Sequence, residues 1–153
     1  MKPKVLTPEE FVEICYNFVK EEMKYDEPIP EITEEGLNKI GYCLTKPALE
    51  ISNKLLFNTI AEQTMALCFC ICKQHCFING NKRLALITTF LFLFKNGYIL
   101  RTKQPLLYLI TNGIVNIPPS RSRDDLIKRG LIEFFESSIE KFDITTLIGK
   151  KLF

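Results

Sequence analysis

The 153-residue sequence has no long hydrophobic run. Its most apolar stretches, Thr64–Cys72 and Leu84–Phe94, fall well short of the roughly 20 residues that cross a bilayer. A polar loop with Lys73, Gln74 and His75 separates them, and both read as buried core helices, so no membrane span is expected. No apolar segment follows Met1-Lys2-Pro3-Lys4, which argues against a secretory signal. No charge of one sign dominates either. The net charge is +2, and the Lys and Arg residues are interspersed with Asp and Glu. A nucleic-acid binder needs a basic stripe, so no nucleic-acid partner is expected. Internal repeats and low-complexity tracts are absent.

Histidine is scarce: His75 is the only one. Cysteine is not, but its spacing is poor for a metal. Of Cys15, Cys43, Cys68, Cys70, Cys72 and Cys76, four lie within nine residues in a CxCxC pattern, whereas zinc knuckles use CxxC pairs. Cys72, His75 and Cys76 leave a metal site as the lesser reading. The main reading is small, soft core residues in a reducing cytoplasm.

Apolar residues make up 46% of the chain and charged residues 25%, which is globular composition. The length suits one domain over 1–153, with a core at 7–142 and a tail at 143–153. Thr7-Pro8-Glu9-Glu10 is a capping box with Pro at the first helical position, and the helix it starts runs to about Met23. Pro28 and Pro30 break the chain. Thr33-Glu34-Glu35 opens a second helix that Pro47 ends. Residues 47–58 alternate weakly and fit either a small hairpin or a plain loop. Thr59 and Glu62 cap a third helix, apolar nearly all round to Cys72. Asn81–Asn96, closed by Gly97, is a second buried helix. A short helix over Leu106–Val115 follows. Ser122-Arg123-Asp124-Asp125 starts a last one to about Phe142. The expected architecture is all-α, built round two buried antiparallel helices.

The loop between those helices reads His75-Cys76-Phe77-Ile78-Asn79-Gly80-Asn81-Lys82-Arg83. Gly80 permits a tight backbone, and Asn81-Lys82-Arg83 opens the next helix. A helix N-terminus after a Gly turn makes an anion nest. Lys82 and Arg83 put positive charge where the helix dipole disfavours it, a conflict that a bound phosphate resolves. Histidine takes and returns protons near neutral pH, so His75 is a candidate general base. Base, nest and cations in nine residues are the parts of phosphoryl or nucleotidyl transfer, chemistry of positioning and charge stabilisation.

The same residues resemble the signature of the Fic/Doc family, His-x-Phe-x-(acid or Asn)-(Gly or Ala)-Asn-(Gly or Lys)-Arg. His75, Phe77, Asn79, Gly80, Asn81, Lys82 and Arg83 all match. Phe57-Asn58-Thr59-Ile60-Ala61-Glu62 and Thr45-Lys46-Pro47 resemble segments that flank the family's flap, and Lys95-Asn96-Gly97-Tyr98 resembles the end of its central pair. The resemblance implies a Fic-type helical bundle with a small hairpin flap at 47–58, against which a target segment docks as an added strand. It implies ATP as co-substrate and magnesium as cofactor. His75 is then the base acting on a target hydroxyl, and Phe77 a loop anchor. Gly80 and Asn81 form the anion nest, Arg83 is the phosphate clamp, and Asn79 stands at the metal position usually held by an acid.

Lys82 and Leu86 resemble the Doc branch rather than the AMP-transferring members, which have Gly and a second Arg there. This implies γ-phosphate transfer to a protein hydroxyl. AMP transfer and a catalytically idle binding module are the alternatives. The inhibitory pattern Ser/Thr-x-x-x-Glu-Gly/Asn does not occur in the sequence. The resemblance therefore implies restraint by a separate antitoxin, and a toxin whose target belongs to translation.

Overall fold

The computed structural model describes residues 1–24, 27–102 and 104–142. The tail expected at 143–153 lies outside the described residues. Those described form six helices and two antiparallel two-stranded ribbons. None of the helices is long and apolar enough to cross a membrane.

Helix α1 is a continuous run of Pro8–Glu10, a π-helical segment Phe11–Tyr16, and Asn17–Glu22. Its capping box forms as the sequence predicts. Thr7 Oγ1 accepts from Glu10 N at 3.1 Å, and Glu10 Oε2 accepts from Thr7 N at 2.9 Å. Helix α2, Glu34–Thr45, is capped by Thr33 and buries Gly36, Ile40, Cys43 and Leu44, the stripe of an amphipathic helix. A single 3₁₀ turn at Lys46–Ala48 carries the chain into β1, Glu50–Ile51, and β2, Lys54–Leu55.

The hairpin alternative for residues 47–58 is the one realised, with Glu50 opposite Leu55 and Ile51 opposite Lys54. Ser52 and Asn53 both have positive φ, at 51° and 61°. That is the two-residue turn whose twist matches antiparallel strands. Helix α3, Ile60–Gln74, and helix α4, Asn81–Lys95, are the packed central pair. Glu62 at the start of α3 also accepts from Asn58 N at 2.7 Å, and Gln63 donates to Phe57 O at 3.1 Å. The hairpin is thereby tied to the helix that ends in the loop at 75–80.

Helices α5, Gln104–Asn116, and α6, Arg121–Ser138, complete the bundle. The last helix departs from the sequence expectation at both ends. It starts from Ser120, not Ser122, and it stops at Ser138 instead of near Phe142. Residues Ile139–Lys141 (β4) instead pair with Tyr98–Leu100 (β3), with Leu100 opposite Ile139 and Tyr98 opposite Lys141. Gly97, at φ 81°, turns the chain from α4 into β3, and its carbonyl accepts from Phe142 N at 3.0 Å. A strand of three residues is too short to show a period. Its pairing over some forty positions leaves no local signal.

The core gathers Phe11, Cys15 and Val19 of α1, Ile40 and Cys43 of α2, much of α3 and α4, Leu107 and Phe135. Lys95 at the end of α4 reaches Glu10 at 2.6 Å and joins the start of α1 to the central pair.

Candidate active site

The loop at 75–80 is short because both its ends are left-handed. His75 is the C-cap of α3 at φ 45° and ψ 54°, and Gly80 is the N-cap of α4 at φ 84° and ψ 0°. For a side chain with a Cβ this region costs about 1–2 kcal/mol, so the conformation of His75 is imposed by the packing of the loop. The imidazole is left exposed at the end of a buried helix. Gly80 has no such cost, and a Cβ on it would stand 2.3 Å from Ile29 Cγ2.

The loop interior is held from three sides. Phe77 is buried, its ring 6.5 Å from Phe11 and 6.2 Å from Tyr16. Phe11 and Tyr16 are five residues apart. The π-helical segment between them aligns both rings on Phe77, a spacing that an α-helix would not give. Tyr16 Oη also donates to Pro30 O at 2.8 Å. From α4, Asn81 Nδ2 donates to Phe77 O at 2.7 Å, and its Oδ1 accepts from Phe77 N at 3.1 Å. From α2, Gly36 lies so close that a Cβ would be 2.9 Å from Cys76 O and 3.4 Å from the Phe77 ring.

The two cations diverge. Lys82 leans toward α5, with Nζ donating to Asn112 Oδ1 at 3.2 Å and lying 5.3 Å from the Tyr108 ring. Arg83 is 2% exposed, among the most buried large side chains of the protein. Its Nη1 donates to Met23 O at 2.9 Å and its Nη2 to Glu27 O at 2.6 Å, while Nε has no partner among the described residues. Arg83 therefore braces the segment after α1. A phosphate clamped by it would have to displace those carbonyls. The first turn of α4 receives no side-chain cap, since its N-cap is a glycine, and this leaves its dipole end open to an anion.

Asn79 is half-buried, and its Oδ1 is buried without a hydrogen-bond partner among the described residues. A hard cation such as magnesium takes oxygen ligands of this kind, although an amide is weaker than a carboxylate. This single oxygen is compatible with such a cation. No group of three or more His, Cys, Asp or Glu among the described residues is placed to hold a metal, so Cys72, His75 and Cys76 do not form one.

The loop, the flap and the central pair lie in one continuous stretch, and that stretch is what the comparison with known families detects. The model of the Fic/DOC family matches residues 6–93. The chain belongs to the Fic/DOC family. The match runs from the capping box of α1 through the flap and loop and into the last turns of α4. Family membership supports a Fic-type transferase acting between a nucleotide and a protein hydroxyl. No curated protein and no solved structure matches the chain.

Within this Fic/DOC domain the structure brings together His75, Asn79, Gly80, Asn81 and the first turn of α4. Arg83 lies beneath them and Lys82 to one side. Sequence reasoning missed Gly36, the rings of Phe11 and Tyr16, and Asn112. It also passed over Ile78, which is 95% exposed three residues after His75. Only Ile78 carried a local signal, a large apolar residue in a polar loop. The others act through contacts between distant parts of the chain.

Proposed function

We propose that this Fic/DOC-family protein transfers the γ-phosphate of ATP to a hydroxyl of a target protein. The observation that carries the reading is Lys82 in the first turn of α4, where it contacts Asn112 and the Tyr108 ring. Its Nζ turns toward α5 beside the nest, and the residue itself, Lys in place of the Gly of AMP-transferring members, supports a Doc-type orientation of the nucleotide. The γ-phosphate is then the group presented to His75.

His75 accepts the proton of the target hydroxyl as its oxygen attacks the γ-phosphorus. The bond from that phosphorus to the bridging oxygen breaks, and ADP leaves. The uncapped first turn of α4 steadies the phosphate charge. Asn79 Oδ1 would hold magnesium, which supplies charge neutralisation on the phosphates when bound. The flap strands β1 and β2 offer an exposed edge to which a target segment adds in extended form. Ile78 presents an apolar contact beside the base. A cytoplasmic toxin restrained by a separate antitoxin, with a target in translation, fits this reading.

A second reading rests on Arg83. Its bonds to Met23 and Glu27 favour a module that binds nucleotide or a partner without turnover. ATP labelled on the α- or the γ-phosphate, incubated in lysate with the protein and with His75→Ala, separates these. Protein label from γ alone, lost in the variant, supports phosphate transfer. Label from α replaces that reading with AMP transfer. ATP binding with no label from either position leaves the idle module.

A further inference from the structure

A groove runs from the hairpin toward His75. Its first part, about 310 Å³, has Leu49 and Leu56 of the hairpin on one side and Met65 and Phe69 of α3 on the other. Leu56 N donates to Leu49 O at 2.8 Å and so closes the hairpin at this wall. Its second part, about 570 Å³ and more open, follows α2 past Glu35 and Lys39. Tyr42 and Gln74 belong to both parts. Gln74 is the last residue of α3, so the groove passes next to His75.

The uncompensated charges along this groove are of one sign. Lys46 Nζ lies 3.9 Å from the Tyr42 ring centroid and donates to the Tyr42 hydroxyl, and Lys128 Nζ lies 4.9 Å from the ring centroid of Phe69. Neither lysine has a carboxylate partner among the described residues. The other two lysines of the groove do: Lys73 lies 3.8 Å from Asp124, and Lys39 lies 2.8 Å from Glu35. Glu35 is the one carboxylate among the described lining residues. An aromatic ring holds an ammonium in place without neutralising it, so less freedom is lost when a counter-ion arrives. Two such ammonium groups, on different elements, stand beside an apolar lining.

We propose that this groove receives the target segment and selects segments with Asp or Glu and an apolar side chain near the hydroxyl to be modified. The proposal deepens the reading of the protein as a transferase onto protein hydroxyls and rests on it. The apolar side chain enters between Leu56, Met65 and Phe69. The carboxylates pair with Lys46 and Lys128, and the hydroxyl lies toward Gln74 and His75. A basic segment meets two like charges there, which selects against it. The net charge of the chain is only +2, without a basic stripe, so this preference is local to the groove. A nucleic acid needs phosphate contacts spread along a surface and fits it poorly.

The test is fluorescence anisotropy of the full chain with short labelled peptides. Each holds one threonine and one leucine, and they differ only in whether the remaining residues are acidic, neutral amide or basic. The acidic peptide should bind best, with a Kd that rises with salt and rises by about tenfold in Lys46→Gln/Lys128→Gln. Lys46→Glu/Lys128→Glu should instead prefer the basic peptide, a reversal that loss of folding cannot produce. Equal binding of the three peptides, binding of none, or an acidic Kd unchanged in the variants would overturn the proposal. Displacement of the peptide by ATP would overturn it by assigning the lysines to the nucleotide. A dimer in sedimentation that the reversed variant dissociates would overturn it by assigning the groove to a second copy of the chain. His75→Ala should bind the acidic peptide as the wild type does. Charge-selective binding without γ-label on any protein therefore keeps the groove and removes phosphate transfer. Undiminished γ-labelling by Lys46→Glu/Lys128→Glu keeps phosphate transfer and removes the groove.

Discussion

Asn81 closes a ring on the backbone of Phe77, donating to its carbonyl at 2.7 Å and accepting from its N–H at 3.1 Å. One buried amide thus satisfies both main-chain groups of the loop's aromatic anchor. Asn81→Ala leaves two buried backbone groups without partners, at a cost of about 1–3 kcal/mol for each. The expected outcome is a clear drop in thermal midpoint together with loss of group transfer. Asn81→Asp, which can keep only the bond from Phe77 N, should fall between the two. An unchanged melting curve for the alanine variant would mean that the loop is held by its rings alone.

Gly80 is restricted twice, by a φ of 84° and by Ile29 at 2.3 Å from where a Cβ would lie. Gly80→Ala should destabilise by at least the 1–2 kcal/mol of the left-handed backbone. Adding Ile29→Ala removes the clash but not the backbone cost. The pair should therefore be non-additive in denaturant unfolding, the double variant recovering only part of the loss.

Gly36 separates loop geometry from nucleotide binding. A methyl group on it meets Cys76 O at 2.9 Å, with backbone on one side and a helix on the other. Gly36→Ala should shift the loop next to His75 while leaving the first turn of α4 in place. Transfer should fall by about tenfold or more, the effect expected of a misplacement near 1 Å. ATP affinity, measured by calorimetry, should change much less.

Asn79 is tested by restoring an acid. Asn79→Asp puts a charge where a buried neutral acceptor has no partner among the described residues. Magnesium should then bind more tightly, and half-maximal transfer should occur at lower magnesium. A magnesium dependence identical to wild type would exclude this side chain as a ligand.

Glu10 makes stability depend on acid pH. Its pKa is lowered by the hydrogen bond from Lys95, then by that from Thr7 N and by the Lys95 charge, against burial. A lowered carboxylate contributes stability that is present above its unfolded pKa and is lost as pH falls through its folded value. Glu10→Gln retains the capping box and removes the ion pair. At neutral pH it should cost no more than about 1 kcal/mol, since the pair is partly exposed. The difference from wild type should vanish at pH values below the usual carboxylate range. A gap that persists there would assign the loss to packing.

Much of this protein could be read from its residues alone. Helices α1 to α3 follow from their caps, because Thr7, Thr33 and Thr59 act on the next few residues, and α4 from the apolar run between Gly80 and Gly97. The candidate active-site loop is legible for the same reason: its His, Gly and Asn are neighbours in the chain, and nine residues suffice to specify the family signature. Even the flap carried half a signal, in alternation that its two positive-φ turn residues completed.

What tertiary structure alone decided depends on contacts between distant residues. The end of α6 at Ser138 depends on Tyr98–Leu100. The depth of Arg83 depends on carbonyls sixty and fifty-six positions earlier, and the tilt of Lys82 on Asn112, thirty positions later. Sequence determined which chemical groups this site contains, since local backbone energetics fix the loop and the helix starts that display them. Packing of remote segments decided which of those groups face a substrate and which brace the fold, because burial and direction are properties of the assembled core.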